Sequence, residues 1–238
     1  MAALASVPRS VDDPAASHEI NATGTLTLLR AAREAGVRRF VYSSTSAAYG
    51  PEPSLPSRES DPPLPISPYA VSKLAGEHYC TAFFHCYGME TVSLRYFNVF
   101  GPGQASTGPY ANAIPVFTRA LLEGRPAPVF GDGKQTRDFV YVDDVVQANL
   151  AAAVSKAAPG RFYNVASGIR LSVLEMIALI ADALGVQPAI DFRPPRVGDV
   201  LHTEADIARI RQDLGYLPAV PPREGIRRTV AWLAAHRD

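Results

Sequence analysis

Tyr69 and Lys73 stand four residues apart in Ser67-Pro-Tyr-Ala-Val-Ser-Lys73, and nothing in Ala70-Val71-Ser72 forbids a helix. At that spacing both side chains leave the same helix face. A fixed ammonium beside a phenol favours the phenolate, and a tyrosine tuned in this way can take or return a proton near neutral pH. The alternative is a coincidental pair on a solvated helix, which 10 Tyr and three Lys in 238 residues would seldom produce.

Such a pair needs elements that hold a substrate against it. Upstream lies Arg39-Phe-Val-Tyr-Ser-Ser-Thr-Ser-Ala-Ala-Tyr-Gly50. Phe40, Val41 and Tyr42 predict a short buried strand, running into hydroxyls at its C-terminal end, where open α/β sheets place their ligands. Read alone, the hydroxyls of Ser43 to Ser46 could equally satisfy backbone groups. Downstream, Glu90-Thr-Val-Ser-Leu-Arg-Tyr-Phe-Asn-Val-Phe-Gly-Pro102 predicts a second strand ending in a Gly-Pro break.

Taken together, Ser43-Ser-Thr-Ser-Ala-Ala-Tyr-Gly50, Tyr69-x-x-x-Lys73, Leu94-Arg-Tyr-Phe-Asn-Val-Phe-Gly-Pro102 and Gly131-Asp-Gly-Lys-Gln-Thr-Arg-Asp-Phe-Val-Tyr-Val-Asp143 resemble the extended short-chain dehydrogenase/reductases, and among them the nucleotide-sugar 4-epimerases. The resemblance runs the length of the chain. It implies an α/β fold: a doubly wound parallel sheet of the NAD-binding Rossmann type, incomplete here, with a smaller C-terminal α/β lobe for substrate. Residues 1–110, with 138–168 returning to them, would form the dinucleotide-binding domain. Residues 111–137 and 169–238 would form the substrate lobe.

The implied reaction is NAD-dependent 4-epimerisation of a UDP-sugar through a transient 4-keto intermediate; the alternatives are a truncated, non-catalytic remnant or sugar-nucleotide binder, or another NAD-dependent nucleotide-sugar dehydratase or reductase of the same family. Tyr69 would remove the 4-hydroxyl proton, Lys73 would lower the Tyr69 pKa and bind the nicotinamide ribose, and Thr45 would hydrogen-bond the reacting oxygen. On the cofactor side the resemblance also places Ala2, Ala3, Asn21, Ser43, Tyr96 and Phe97. On the substrate side it places Ser6, Ser44, Asn98, Asn112, Val129, Arg137, Arg196 and Asp199, with the two arginines on the diphosphate. A guanidinium suits that task because it donates two parallel hydrogen bonds. Asn21-Ala-Thr-Gly-Thr25 resembles the family's N-x-x-G-T, although a helix that merely packs on the sheet accounts for it as well. Dehydratases carry an acid pair, and decarboxylases an acid, where this chain has Ser46 and Ala47, so both activities are disfavoured. Thr203 stands where glucose-restricted epimerases carry a tyrosine, which suggests room for an N-acetyl group. The expected partners are a UDP-hexose or UDP-N-acetylhexosamine and a second copy of the chain, the family's common dimer.

Composition limits the alternatives. With 47% hydrophobic and 19% charged residues the chain is globular. A formal net charge of +0 gives no reason to expect a nucleic acid. No apolar run reaches spanning length and no basic-then-apolar leader is present, so the expected compartment is the cytoplasm, with no membrane partner. Cys80 and Cys86 lack the partners of a metal site or disulfide framework, and both are expected to be buried thiols. No metal is expected.

The remaining stretches predict further elements: helices from His18 to Gly36, Tyr69 to Tyr87, Ala111 to Glu123, Asp143 to Lys156, Leu171 to Gly185, Glu204 to Leu214 and Arg223 to His236, with strands near Val129, Phe139, Phe162 and between Pro188 and Pro195. Asp143 and Asp144 are expected to cap their helix, and Pro51 to Pro68 to form a surface loop. The chain contains neither G-x-G-x-x-G nor G-x-x-G-x-x-G. The resemblance therefore expects roughly 60–80 residues, two βαβ units, ahead of the Ala2-Ala3 pair. That expectation leaves the Phe40–Ser43 strand at an open, association-prone edge. A monodisperse, cooperatively melting monomer in solution would contradict it.

Overall fold

The computed structural model describes residues 3–106, 108, 112–195 and 200–236. Ala2, Arg196 and Asp199 lie outside the described residues. The chain opens with two short helices, α1 (Val7–Asp12) and α2 (Pro14–His18), which the sequence reading left without structure. Ser6 and Asp13 cap them through their side chains, and each has a proline in its first turn. A π-helical turn (Glu19–Thr23) leads into α3 (Gly24–Glu34), so the expected single helix from His18 begins with one wider turn.

Three parallel strands follow from different parts of the chain: β1 (Arg39–Thr45), β2 (Glu90–Tyr96) and, later, β6 (Arg161–Val165), in the order β1-β2-β6. Val41 faces Val92, and Leu94 faces Tyr163. Parallel strands need helical crossovers. The first crossover is α4 (Pro68–Tyr87), whose ends the sequence specifies. Ser67 accepts from the Ala70 amide at 3.1 Å, Pro68 sits in the first turn, and Gly88 closes the helix at φ 66. Among the described residues β1 has no strand beyond it and forms one edge of this sheet.

The second half builds smaller sheets. β3 (Asn98–Phe100) pairs in parallel with β5 (Thr136–Tyr141), and β5 pairs antiparallel with β7 (Arg170–Ser172). β4 (Ala127–Phe130) pairs in parallel with β8 (Ile190–Arg193). Around them lie α5 (Ala113–Leu122), α6 (Val142–Val154), α7 (Val173–Leu184), α8 (Ala208–Leu214) and α9 (Pro222–Ala235).

The apolar interior falls into distinct cores. One joins β2 and β6 through Val92, Leu94, Tyr163 and Val165. Another joins α5, α7 and α9 to β4 and β5 through Phe117, Ile177, Ile226 and Val129. Ala205, Ile207, Ile210 and Tyr216, in the stretch the sequence reading gave to the substrate lobe, pack in the first of these. The expected capping by Asp143 and Asp144 gives way to a different arrangement. Tyr141 is the residue before the first turn of α6, and buried Asp144 accepts from the Ala219 and Val220 amides at 2.7 and 3.3 Å. Its carboxylate thus ties the loop before α9 to α6. Cys80 is buried as expected, but Cys86 is exposed, because it falls on the outer face near the end of α4. No helix among the described residues is long and apolar enough to cross a membrane.

Candidate active site

A cavity of about 810 Å³ opens between the β1-β2-β6 sheet and the second lobe. Its walls bring together residues far apart in sequence: Thr45 from the end of β1, Tyr69 from the first turn of α4, Tyr96, Phe97 and Asn98 from the end of β2 and the start of β3, and Arg137 from β5. The C-terminal ends of parallel strands are where such sheets bind ligands, so the hydroxyl cluster stands where the sequence placed it.

Tyr69 is fixed at both ends. Its amide donates to Ser10 Oγ at 3.0 Å, and Thr45 hydrogen-bonds its phenol. Thr45 also accepts from the Ala47 amide at 3.2 Å, which begins the 3-10 turn Ser46–Tyr49. Burial pushes the Tyr69 phenol above its ordinary value, and the Thr45 bond offsets this in part. Thr45 is the side chain that lowers the phenol, and the Lys73 ammonium lies over the ring of Tyr42, 4.4 Å from the centroid. The four-residue spacing puts both residues on one helix face, but the lysine side chain turns to β1. Burial lowers Lys73 to about 8.

Several expected contacts serve the protein itself. Asn21 is 2% exposed, and its amide grips the Leu4 backbone from both sides. Oδ1 accepts from the Leu4 amide at 2.9 Å, while Nδ2 donates to the Leu4 carbonyl at 3.1 Å and to Ser72 Oγ at 3.0 Å. Asn21 therefore organises the entry segment against α4 and does not line the cavity. Ser6 is the N-cap of α1, and its neighbour Ala5 reaches the cavity wall instead. Val129 is 0% exposed, inside the second core; strand alternation turns Pro128 and Phe130 to the cavity in its place. Ala3 is half-buried beside Leu4. Ser43 donates to Tyr96 Oη at 3.3 Å, and Tyr96 in turn donates to Asn149 at 2.9 Å.

The other expected residues stand at the wall. Ser44 lines the cavity, but its hydroxyl donates to Glu77 at 2.7 Å. Asn98 donates to the Asp138 carbonyl at 3.2 Å. Exposed Asn112 precedes α5 without capping it. Arg137 donates to the Thr136 and Leu201 carbonyls at 3.0 and 3.2 Å. Thr203 is not at the wall; it accepts from the Asp138 amide at 3.3 Å. The sequence reading missed Gln104, Phe130, Gln135 and Arg193, which complete the wall. Gln104 follows the Gly101-Pro-Gly103 break, the one signal that could have drawn attention to it. No cluster of potential metal ligands occurs among the described residues.

The fold and this wall define a Rossmann-type α/β enzyme, and the chain belongs to the NAD dependent epimerase/dehydratase family, whose model matches residues 1–166. It is 42% identical over 231 residues to a UDP-glucose 4-epimerase of Mycolicibacterium smegmatis, which covers 97% of this chain and 73% of that protein. Among solved structures it superimposes on a UDP-N-acetylglucosamine 4-epimerase from Methanobrevibacter ruminantium in complex with UDP-N-acetylmuramic acid, with a TM-score of 0.94, 38% identity, and coverage of 99% of this chain and 75% of that one. It also matches the Thermus thermophilus UDP-glucose 4-epimerase in complex with NAD, with a TM-score of 0.90 and 38% identity over 98% of this chain and 76% of that one. The chain thus spans about three quarters of the length of these relatives.

Proposed function

We propose that this chain carries the acid–base and sugar-side machinery of an NAD-dependent UDP-sugar 4-epimerase. The observation that carries the reading is the Tyr69 phenol, bonded by Thr45 and facing a cavity whose far wall holds Arg137. Tyr69 takes the proton from the sugar 4-hydroxyl and later returns it, and Thr45 orients the same oxygen. Arg137 and Asn98 hold the diphosphate end, with Asn112 beside them; Arg196 and Asp199 join them in this reading. Bound NAD would supply a reversible acceptor for the hydride of the sugar C4, so that loss of the 4-hydroxyl proton to Tyr69 leaves a 4-keto sugar.

The residues present fit the nicotinamide end of that cofactor. Lys73 is a buried ammonium among the described residues with no carboxylate bearing on it, able to donate to a ribose, and Tyr96 lines the cavity. We assign residues 1–110 and 138–168 to the cofactor side and residues 111–137 and 169–238 to the substrate side, with α8 docking back on the first core. The free thiols of Cys80 and Cys86 suit a cytoplasmic location, and we expect a homodimer.

The test is the NAD content of the purified chain, followed by interconversion assays with UDP-glucose and UDP-N-acetylglucosamine. Stoichiometric NAD and conversion of either sugar support the reading. A chain that neither carries NAD nor takes it up, yet binds UDP, would be a sugar-nucleotide binder and would overturn it.

A further inference from the structure

Lys73 is 7% exposed. Burying an ammonium without a counter-ion is costly, and the titratable neighbour that bears on it is the thiol of Cys80, about two turns further along α4, which burial holds in its neutral form. Glu77, four residues on, is engaged elsewhere, by Arg95 and Ser44. What faces the ammonium is the Tyr42 ring on β1.

Tyr42 is 6% exposed and touches Lys73 twice. Its hydroxyl donates to the Lys73 carbonyl at 3.0 Å, and its ring lies 4.4 Å below Nζ. This close approach to α4 needs Gly76. A Cβ there would stand 2.3 Å from Tyr42 Oη and 2.6 Å from Cζ, inside any real contact. The glycine is therefore a notch, and the phenol reaches the helix backbone through it. Burial pushes the Tyr42 phenol upward, so it stays a neutral donor, and Thr25 hydrogen-bonds it from α3.

We propose that Tyr42 is a positioning residue for Lys73: its ring face, held by the bond to the Lys73 carbonyl through the Gly76 notch, keeps the ammonium in place and charged between α4 and β1. The ring quadrupole presents negative charge to the ammonium, and the attraction strengthens where water is excluded. The inference rests on the reading of Lys73 as a working group of the site. The groups facing the ammonium are Tyr42 from β1 and, from α4 itself, Cys80.

The experiment is a pH titration by NMR of the chain labelled with 13C-lysine. Three lysines give three Cε signals, and Lys134 and Lys156 are exposed, so Lys73 is the one that titrates apart. Tyr42→Phe keeps the ring but loses the bond that holds it, and is expected to lower the Lys73 midpoint by less than loss of the whole ring does. Tyr42→Leu removes the ring face and is expected to lower the midpoint by about one unit. Gly76→Ala, which pushes the ring away from the helix, is expected to lower it in the same direction. Should Tyr42→Leu unfold the chain, Tyr42→pentafluorophenylalanine keeps the shape and reverses the quadrupole, with a drop at least as large expected. A Lys73 midpoint that stays put when the ring face is removed or reversed overturns the proposal. The titration needs neither NAD nor turnover. An active epimerase with an unresponsive Lys73 sinks the Tyr42 inference alone, whereas a responsive Lys73 in a chain without NAD or activity sinks only the functional reading.

Discussion

Tyr69→Phe is expected to lower UDP-sugar interconversion by about 10²–10⁴-fold, the range of a positioned general acid–base group, while the fold stays intact. The substitution removes one oxygen. That oxygen takes a hydrogen bond from Thr45, worth about 1 kcal/mol, so the melting temperature should move by a few degrees only. The pH dependence is more specific. Burial raises the phenol above its ordinary value, so the proton-accepting form is scarce at neutral pH and the parent chain's kcat/KM should climb as the solution is made alkaline. The variant's residual rate should lack that limb, because no phenol remains to ionise. Thr45→Val tests the partner: it removes the bond that lowers the phenol, so the limb should move to higher pH. A Tyr69→Phe chain within tenfold of the parent, or one that retains the alkaline limb, would remove Tyr69 from the chemistry.

Local signals carried most of the elements into view. Ser67-Pro68 and Gly88 announced both ends of α4, and its bounds match the expectation closely. The Ser172 and Glu175 pair closes a capping box at the start of α7. Less legible was whatever depends on a distant partner. Val129 is a strand residue whose face is decided by the core beneath it, and the cavity contacts fall to Pro128 and Phe130 on either side. Ser6 and Asn21 carry the polar atoms of ligand contacts but meet the backbone first. Spacing put Lys73 on the Tyr69 face correctly, yet could not show that Gly76 opens a path for Tyr42 or that the ammonium would turn toward it. Asp144 shows the same limit: its position suggested a cap, and its partners lie in the loop before α9.

Glu77→Leu is expected to destabilise the chain by about 3–5 kcal/mol, the cost of leaving one member of a buried pair uncompensated. Glu77 and Arg95 are both 2% exposed and joined by two bonds, Nε to Oε2 at 3.0 Å and Nη2 to Oε1 at 2.6 Å. The guanidinium is also flanked by aromatic rings, 4.8 Å from the Tyr49 centroid and 4.4 Å from that of Phe162. Arginine does not neutralise itself by losing a proton, so removal of Glu77 strands a permanent charge. Arg95 Nη1 already lacks a partner, and the variant would add further unsatisfied donors. The double variant Glu77→Leu/Arg95→Met removes both charges and should be more stable than Glu77→Leu alone, since apolar replacement of a whole buried pair is often neutral or favourable. Denaturant melts of the single and double variants measure the difference. A double variant no more stable than Glu77→Leu would mean that packing, and not the stranded charge, sets the cost. The double variant should still lose turnover. Ser44 donates to Glu77, and Thr45 is the next residue along β1, so the pair that joins α4 to β2 also anchors the strand end that carries the Thr45 hydroxyl. A recovered melting temperature with depressed kcat would separate this anchoring of the site from its contribution to stability.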